Sequence, residues 1–216
     1  LAENRDLTLT PRLFNDDKVL VQTEFREKNK NSSHIIDVSQ FLSSNENSKG
    51  HLFYNFNKNL SSDKFDNLEL NIQLEQVTDE TYLKANKIES PIIKSFSNLT
   101  NSLNLQMYNE DVSIDTNLNV YEDLTKNDSD KYEYVPNFSF SKIINDNYSF
   151  NSNGYYKNYN TNITEKVLIN NFDFQSNQRL FNSGLINEKI FSIKNVNSGS
   201  TNSNNFKDKN SSTIIP

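Results

Sequence analysis

The stretch Asn67–Gln76, NLELNIQLEQ, alternates apolar and polar residues without a break. Leucine or isoleucine occupies positions 68, 70, 72 and 74, and the positions between them hold Glu69, Asn71, Gln73 and Glu75. Successive side chains of a β-strand point to opposite faces. The stretch therefore predicts a strand with one apolar face and one polar face.

The same alternation recurs along the chain. Val112–Tyr121 is the second clear case, and its polar positions hold Ser113, Asp115, Asn117 and Asn119. Further strand-like stretches are 7–13, 19–26, 34–42, 51–58, 102–107, 137–141, 148–156, 166–175 and 188–196. Clusters of Asn, Asp, Ser and Gly separate them and favour turns. The sequence predicts an all-β, antiparallel, up-and-down meander of about 10–11 strands.

Two segments that depart from this rhythm carry separate predictions. Residues 81–88 are compatible with a single helical turn, and the polar segment Ser198–Ser212 is expected to form a loop. Successive strands that lie so close together in sequence should pair antiparallel.

The composition excludes several classes of protein. The 216 residues include 38 Asn and 26 Ser, and the formal net charge is -6. No apolar run is long enough for a membrane helix. The 22 Lys and Arg against 28 Asp and Glu give no basic footprint for nucleic acid. The 15 Phe and 10 Tyr argue against disorder, and the lack of Cys removes thiol catalysis, thiolate metal sites and disulfides.

Two architectures fit the alternating pattern. A soluble β-sandwich would bury the apolar faces against each other, whereas an outer-membrane barrel would turn them to lipid and its polar faces to a wet lumen. Each stretch is near the length of a tilted membrane-spanning strand. In the barrel, the expected lumen-facing residues are Glu69, Asn71, Gln73, Glu75, Ser113, Asp115, Asn117 and Asn119.

Several short motifs occur in the order found in one known family. Asp6–Leu13, DLTLTPRL, is followed by Val19–Arg26, VLVQTEFR, and later by Gln76–Leu83, QVTDETYL. The further matching segments are Tyr134–Phe138, Asn160–Asn162, Leu168–Phe172 and Lys194–Asn197. Together they resemble the barrel domain of the LptD family, the outer-membrane proteins that assemble lipopolysaccharide, in its alphaproteobacterial branch.

The resemblance implies that residues 1–216 are the N-terminal part of an LptD-like barrel domain, hence a partial, open outer-membrane β-barrel. The family's periplasmic jellyroll, the first strand and the C-terminal strands would lie outside this fragment. The implied function is insertion of lipopolysaccharide into the outer leaflet of the outer membrane, through a polar lumen and a lateral gate. The implied partners are lipopolysaccharide, an LptE-like plug lipoprotein, periplasmic bridge proteins and outer-membrane lipid.

Pro11 is the candidate for the lateral gate. Proline cannot donate to a sheet ladder, so it belongs at an edge or in a weakly paired strand. An ordinary edge proline explains it equally well, and the gate role comes from the resemblance alone.

We expect no enzyme activity, cofactor or metal. The two histidines, His34 and His51, lie in separate predicted strands, and no Ser-His-Asp set is supported by the sequence. Two other functions remain open: another outer-membrane barrel of the porin or receptor type, and a secreted Asn-rich β-sandwich or adhesin.

Overall fold

The chain forms an antiparallel sheet in which the strands follow one another in chain order. A computed structural model describes residues 2–14, 18–44, 47–127, 130–159, 162–204 and 206–215. Asn160 and Thr161, which belong to one of the family-like motifs, lie outside these residues. The elements are β1 (Arg5–Phe14), β2 (Lys18–Lys28), β3 (Ser32–Leu42), β4 (Lys49–Asn59), β5 (Asn67–Val77), α1 (Tyr82–Ala85), β6 (Asn98–Tyr108), β7 (Val112–Asp123), β8 (Tyr132–Asn145), β9 (Tyr148–Tyr159), β10 (Ile163–Gln175), β11 (Arg179–Leu180), β12 (Ile186–Asn187), β13 (Ile190–Thr201) and β14 (Lys209–Ile215).

Twelve strands form the main sheet, in the order β1-β2-β3-β4-β5-β6-β7-β8-β9-β10-β13-β14. The short strands β11 and β12 form a separate hairpin in the β10–β13 connection. The sheet is open, because its strand order runs from β1 to β14 without closing among the described residues. The predicted all-β antiparallel meander is confirmed. No helix among these residues is long and apolar enough to cross a membrane.

The prediction of a loop over Ser198–Ser212 is correct for the connection between β13 and β14 and wrong at both ends of the segment. Strand β13 continues to Thr201, and Ser198 pairs with Lys209 at the start of β14. Strand pairing uses backbone groups, so a polar stretch without alternation can still join the ladder at a sheet edge. The predicted helical turn is confirmed as α1.

The chain divides into two compact units, which are described separately. The first contains Leu1–Leu60, Glu69–Asn104 and Asn119–Glu133. The second contains Ser61–Leu68, Leu105–Leu118 and Tyr134–Pro216.

In the first unit, the strand register sorts side chains into two contrasting faces. Residues that pair directly across β1 to β5 share a face, and we call such a row across the sheet a rung. One rung consists of Leu7, Phe25, Ile36, Tyr54 and Leu74. A rung of the opposite side is Thr10, Gln22, Ser39, His51 and Val77. We call these sides the apolar face and the polar face of the first unit.

The core of the first unit lies on its polar face. The connection between β5 and β6, residues 78–97, folds over that face and is called the strap. The strap contributes Tyr82, Leu83, Ile88 and Ile92 to a buried cluster whose other members are Leu20, Phe53, Leu99 and Leu124. The apolar face stays open instead: Leu9 is 61% exposed and Leu13 is 81% exposed.

In the second unit, a glycine in the middle of β9 lets an aromatic ring approach the backbone. A Cβ at Gly154 would lie 2.7 Å from the carbonyl oxygen of Val167 and 3.0 Å from Cε1 of Phe138. The ring of Phe138 thus packs over Gly154, in a surface groove that Leu118, Tyr156 and Leu168 also line. These four apolar or aromatic side chains remain exposed.

Candidate functional site

The buried polar side chains of the first unit form one connected network. The Ser39 hydroxyl lies 2.5 Å from His51 Nδ1 and 2.6 Å from the Tyr82 hydroxyl. On the other side of the imidazole ring, His51 Nε2 lies 3.1 Å from Asp37 Oδ1. All four residues are buried. The network therefore joins β3 and β4 to the strap.

Two further groups complete the hydrogen bonding of Asp37. The Gln22 amide donates to both carboxylate oxygens, at 3.0 and 3.1 Å, and also to the Glu89 carbonyl of the strap at 2.9 Å. The Ser90 hydroxyl hydrogen-bonds the same carboxylate. A buried carboxylate needs such partners, because an unsatisfied charge in the interior is costly.

Ser39, His51 and Asp37 make the contacts of a nucleophile, a base and an orienting acid. The hydroxyl of Tyr82 occupies the remaining side of Ser39, and the Ser39 residue is only 4% exposed. The Ser39 hydroxyl is thus closed to solvent between His51 and Tyr82. The cluster is a buried anchor for the strap rather than an accessible nucleophile.

The sequence interpretation missed this network. Ser39 and His51 face each other across the β3–β4 hairpin, and Asp37 is two residues from Ser39 on the same face. No alternation or spacing in the sequence gives this pairing, because it depends on the register of the β3–β4 hairpin. His34 is separate from the network and contacts the Tyr54 hydroxyl at 3.0 Å.

Both ends of α1 are tied to neighbouring elements. Arg12 Nη1 donates to the carbonyls of Asn86, at 2.7 Å, and Lys87, at 3.3 Å. These carbonyls follow the last turn of α1, where a cation is favourably placed. Before the helix, the Lys49 ammonium lies 3.0 Å from Asp79. A hydrogen bond from Thr81, followed by the contact with Lys49, lowers the pKa of Asp79.

Lys131 provides another attachment for the strap. Its ammonium lies 2.9 Å from Glu122 at the end of β7 and 3.3 Å from Glu80 of the strap. The hydrogen bond to Glu122 raises the pKa of Lys131 above its usual range, although burial acts in the opposite direction. The ammonium therefore stays charged and holds both carboxylates.

The candidate lumen residues of β5 lie on the polar face of the first unit. Glu75 is buried and accepts hydrogen bonds from Gln73 Nε2, at 2.5 Å, and from the Thr100 backbone N–H, at 2.8 Å. Asn71 donates to Asn104 at 3.2 Å. Glu69 is half-buried and pairs with Asn59 in the β4–β5 register. The structure brings this quartet to one face, where the strap covers its Glu75 end.

The candidates of β7 show a similar pattern. Gln106 donates to Asp115 at 2.8 Å, and Asn117 donates to Asp115 and, at 3.1 Å, to Asn137. Ser113 is exposed, and Asn119, which belongs to the first unit, is half-buried. In the second unit, a second polar row joins Ser141, Asn151, Asp173 and Ser192 across β8, β9, β10 and β13.

Pro11 lies in the edge strand β1, opposite Val21, and is exposed. Because β1 pairs only with β2 in the sheet order, the missing N–H of proline costs the ladder little there. Among the described residues, no group of three His, Cys, Asp or Glu side chains has the geometry of a metal site.

No protein-family model matches the chain, and no curated protein matches it. Its function therefore has to be argued from its residues and geometry.

Proposed function

We propose that this chain is part of an outer-membrane β-barrel that moves lipopolysaccharide to the outer leaflet, with its apolar face on lipid and its polar face on the lumen. The observation that supports the proposal is that the core lies on the polar face of the sheet and not on the apolar face. In the first unit, the buried cluster and the polar network lie on the same side of the sheet. The opposite side presents aliphatic residues to the surroundings.

The exposed aliphatic residues are numerous and regularly placed. They belong to neighbouring strands and include Leu9, Val38, Leu52 and Leu74. Removing one such side chain from water is worth about 1.5–3 kcal/mol, so a bare row of them is costly in water. Lipid would cover the row without a second protein layer, as it does in membrane barrels.

The strand lengths agree with this assignment. The eleven strands of the main sheet other than β14 have 10 to 14 residues. A tilted strand needs about 9–11 residues to cross a bilayer. These strands are longer than the usual 5–6 residues of soluble sheets, which favours the barrel over the β-sandwich.

The choice of lipopolysaccharide as the transported molecule rests on the motifs that resemble the LptD family, the first of which is Asp6–Leu13. The polar residues support it, because amide and hydroxyl groups can both donate to and accept from sugar hydroxyls. Pro11, in the exposed edge strand, supports a weakly paired seam for lateral exit. The chain would perform no chemistry and would depend on a plug lipoprotein and bridge proteins as partners.

Photo-cross-linking from adjacent positions tests the proposal. A photoreactive amino acid at Asn117 samples the polar side of β7, and one at Leu118 samples the opposite side. In Gram-negative cells, we expect Asn117 to cross-link lipopolysaccharide and Leu118 to cross-link phospholipid. Cross-linking of lipopolysaccharide at neither position, or recovery of the chain in the soluble periplasmic fraction, would contradict the proposal.

A further inference from the structure

The hydrogen bonds of the buried network determine where each of its protons lies. Gln22 donates to both oxygens of Asp37, so that carboxylate carries no proton and only accepts. His51 Nε2 therefore carries the N–H that Asp37 accepts, and in the neutral ring Nδ1 is then an acceptor. Ser39 donates its hydroxyl proton to Nδ1, and its oxygen accepts the proton of Tyr82. Each donor thus meets an acceptor, as buried polar groups require.

A proton taken up by His51 breaks this balance. The charged ring has an N–H on each nitrogen and no acceptor, so Ser39 must accept from Nδ1. The hydroxyl groups of Ser39 and Tyr82 can then donate only to each other, and one of their two protons is left without an acceptor. Tyr82 is 1% exposed and Ser39 is 4% exposed, so water does not replace the missing partner.

The unpaired hydroxyl weakens the attachment of the strap and not the sheet. Asp37 and His51 lie on β3 and β4, which pair with each other. A charge on His51 strengthens its contact with Asp37, but that contact joins two strands of the sheet. The strap enters this part of the network through Tyr82, where the acceptor is missing. When the strap lifts, water reaches both hydroxyl groups and removes the cost.

Other charged groups lie around the ring and have to be separated from it. Glu75 is the nearest of these on β5, because it pairs with the residue two positions after His51 on the same face of β4. Its carboxyl group is a second site that takes up a proton in acid. The charged and titratable groups around the ring are Asp37 on β3, Glu75 on β5, Tyr82 and Lys94 on the strap, and Arg12 on β1.

We propose that His51 makes the strap a proton-sensitive cover of the polar face of the first unit. The strap is closed while the ring is neutral, and it is released when the ring takes up a proton. The open form then binds one proton more than the closed form, so closure weakens as the pH falls. Histidine ordinarily changes its charge between pH 5 and pH 8, which is the range to be searched. Neither a bound ligand nor the proposed function is required for this switch.

Hydrogen exchange of residues 78–97 measures release of the strap in the full chain in detergent micelles. The rates are recorded between pH 8 and pH 5 and divided by the intrinsic exchange rate at each pH. In the wild-type chain, opening of the strap should increase roughly tenfold to a hundredfold over this range, as expected for one unsatisfied buried donor. Uptake of one proton allows an increase of at most about tenfold per pH unit.

Two histidine variants isolate the ring. His51→Gln removes the titrating group of the network, and His34→Gln removes the only other histidine, which contacts Tyr54 outside the network. Both variants retain Glu75 and the ion pairs of the strap, so protonation of carboxyl groups contributes equally to both. We expect His34→Gln to show the wild-type increase and His51→Gln to lose most of it. Equal responses of the two variants to acid would overturn the inference.

A measurement on the wild-type chain covers the case in which His51→Gln fails to fold. Nitrogen NMR distinguishes a neutral ring with its proton on Nε2 from the other tautomer and from the charged ring, and His34→Gln assigns the signals. At pH 8 we expect His51 to be neutral with its proton on Nε2. Its conversion to the charged ring should cover the same pH range as the faster exchange of the strap. A ring that is charged while the strap is closed, or exchange that does not follow the His51 signal, would contradict the proposed switch.

Discussion

At the scale of single residues, the first unit depends on a few polar groups that are buried together. Asp37 is the centre of this group, because Gln22, Ser90 and His51 all contact its carboxylate. Hydrogen bonds to a charged group are worth about 1.5–3 kcal/mol each, and leaving buried partners unsatisfied adds to the cost. Removing one side chain should therefore affect three elements at once.

Asp37→Ala should lower the free energy of unfolding by about 3–5 kcal/mol, since it leaves several buried donors without their acceptor. The measurement is urea unfolding in detergent micelles. Asp146→Ala, at an exposed turn position, is the matched control and should change stability by less than about 0.5 kcal/mol. Equal effects of the two substitutions would contradict the role assigned to the network.

Tyr82 gives the network a dependence on alkaline pH. Burial raises the pKa of its phenol, although the hydrogen bond with Ser39 acts in the opposite direction. Because the folded pKa is raised, this contribution to stability is complete below the ordinary pKa, about 10, and is lost as the pH rises through the folded value. We expect the strap to detach in that alkaline range.

Ultraviolet titration of the phenols, together with hydrogen exchange of residues 78–97, measures this transition. In the wild-type chain, Tyr82 should be the last tyrosine to ionise, and hydrogen exchange of the strap should become faster over the same pH range. Tyr82→Phe should remove that step, whereas Tyr108→Phe, an exposed control, should retain it. A strap whose alkaline exchange is the same in both variants would argue against the mechanism.

At the scale of secondary-structure elements, the alternation of apolar and polar residues correctly predicted strands with two unlike faces. The stretches 67–76 and 112–121 became β5 and β7 within two residues, because a strand with unlike faces repeats every two positions. Strand β14 was missed because an edge strand can pair without an apolar pattern. The strap was missed because irregular chain has no period, and its contacts depend on residues distant in sequence.

The same limit applies to the candidate site. The polar positions of β5 and β7 could be identified from the sequence, since they alternate with leucine, isoleucine and valine. The pairing of Ser39 with His51 could not, because it depends on the register of the β3–β4 hairpin. A shift of one residue would have sent either side chain to the other face.

Strand β9 provides a prediction at this scale. Gly154→Ala would place a Cβ 2.7 Å from the backbone oxygen of Val167, so β10 or the ring of Phe138 must move. We expect a loss of about 1–3 kcal/mol in urea unfolding. Gly199→Ala is the matched control, because its nearest neighbour at 2.8 Å is the flexible end of Lys166. A loss at Gly199 as large as that at Gly154 would contradict the packing described for β9.

At the scale of the whole molecule, the two sides of the sheet in the first unit have opposite roles. The polar face is filled by the strap and its network, and the apolar face remains uncovered. The proposed membrane location would explain this inversion, because lipid would cover the apolar face while water meets the other. The central claim is therefore that the apolar face contacts lipid.

Quenching by brominated lipid tests that claim most directly. The chain contains no cysteine, so a bimane label can be attached to a single introduced cysteine. The apolar-face positions are Leu9, Val38 and Leu52, and the polar-face positions are Thr10 and Asn71. After reconstitution into vesicles with brominated acyl chains, we expect strong quenching at the first three positions and little at the last two. Equal quenching on both faces, or none at Leu9, Val38 and Leu52, would contradict the account.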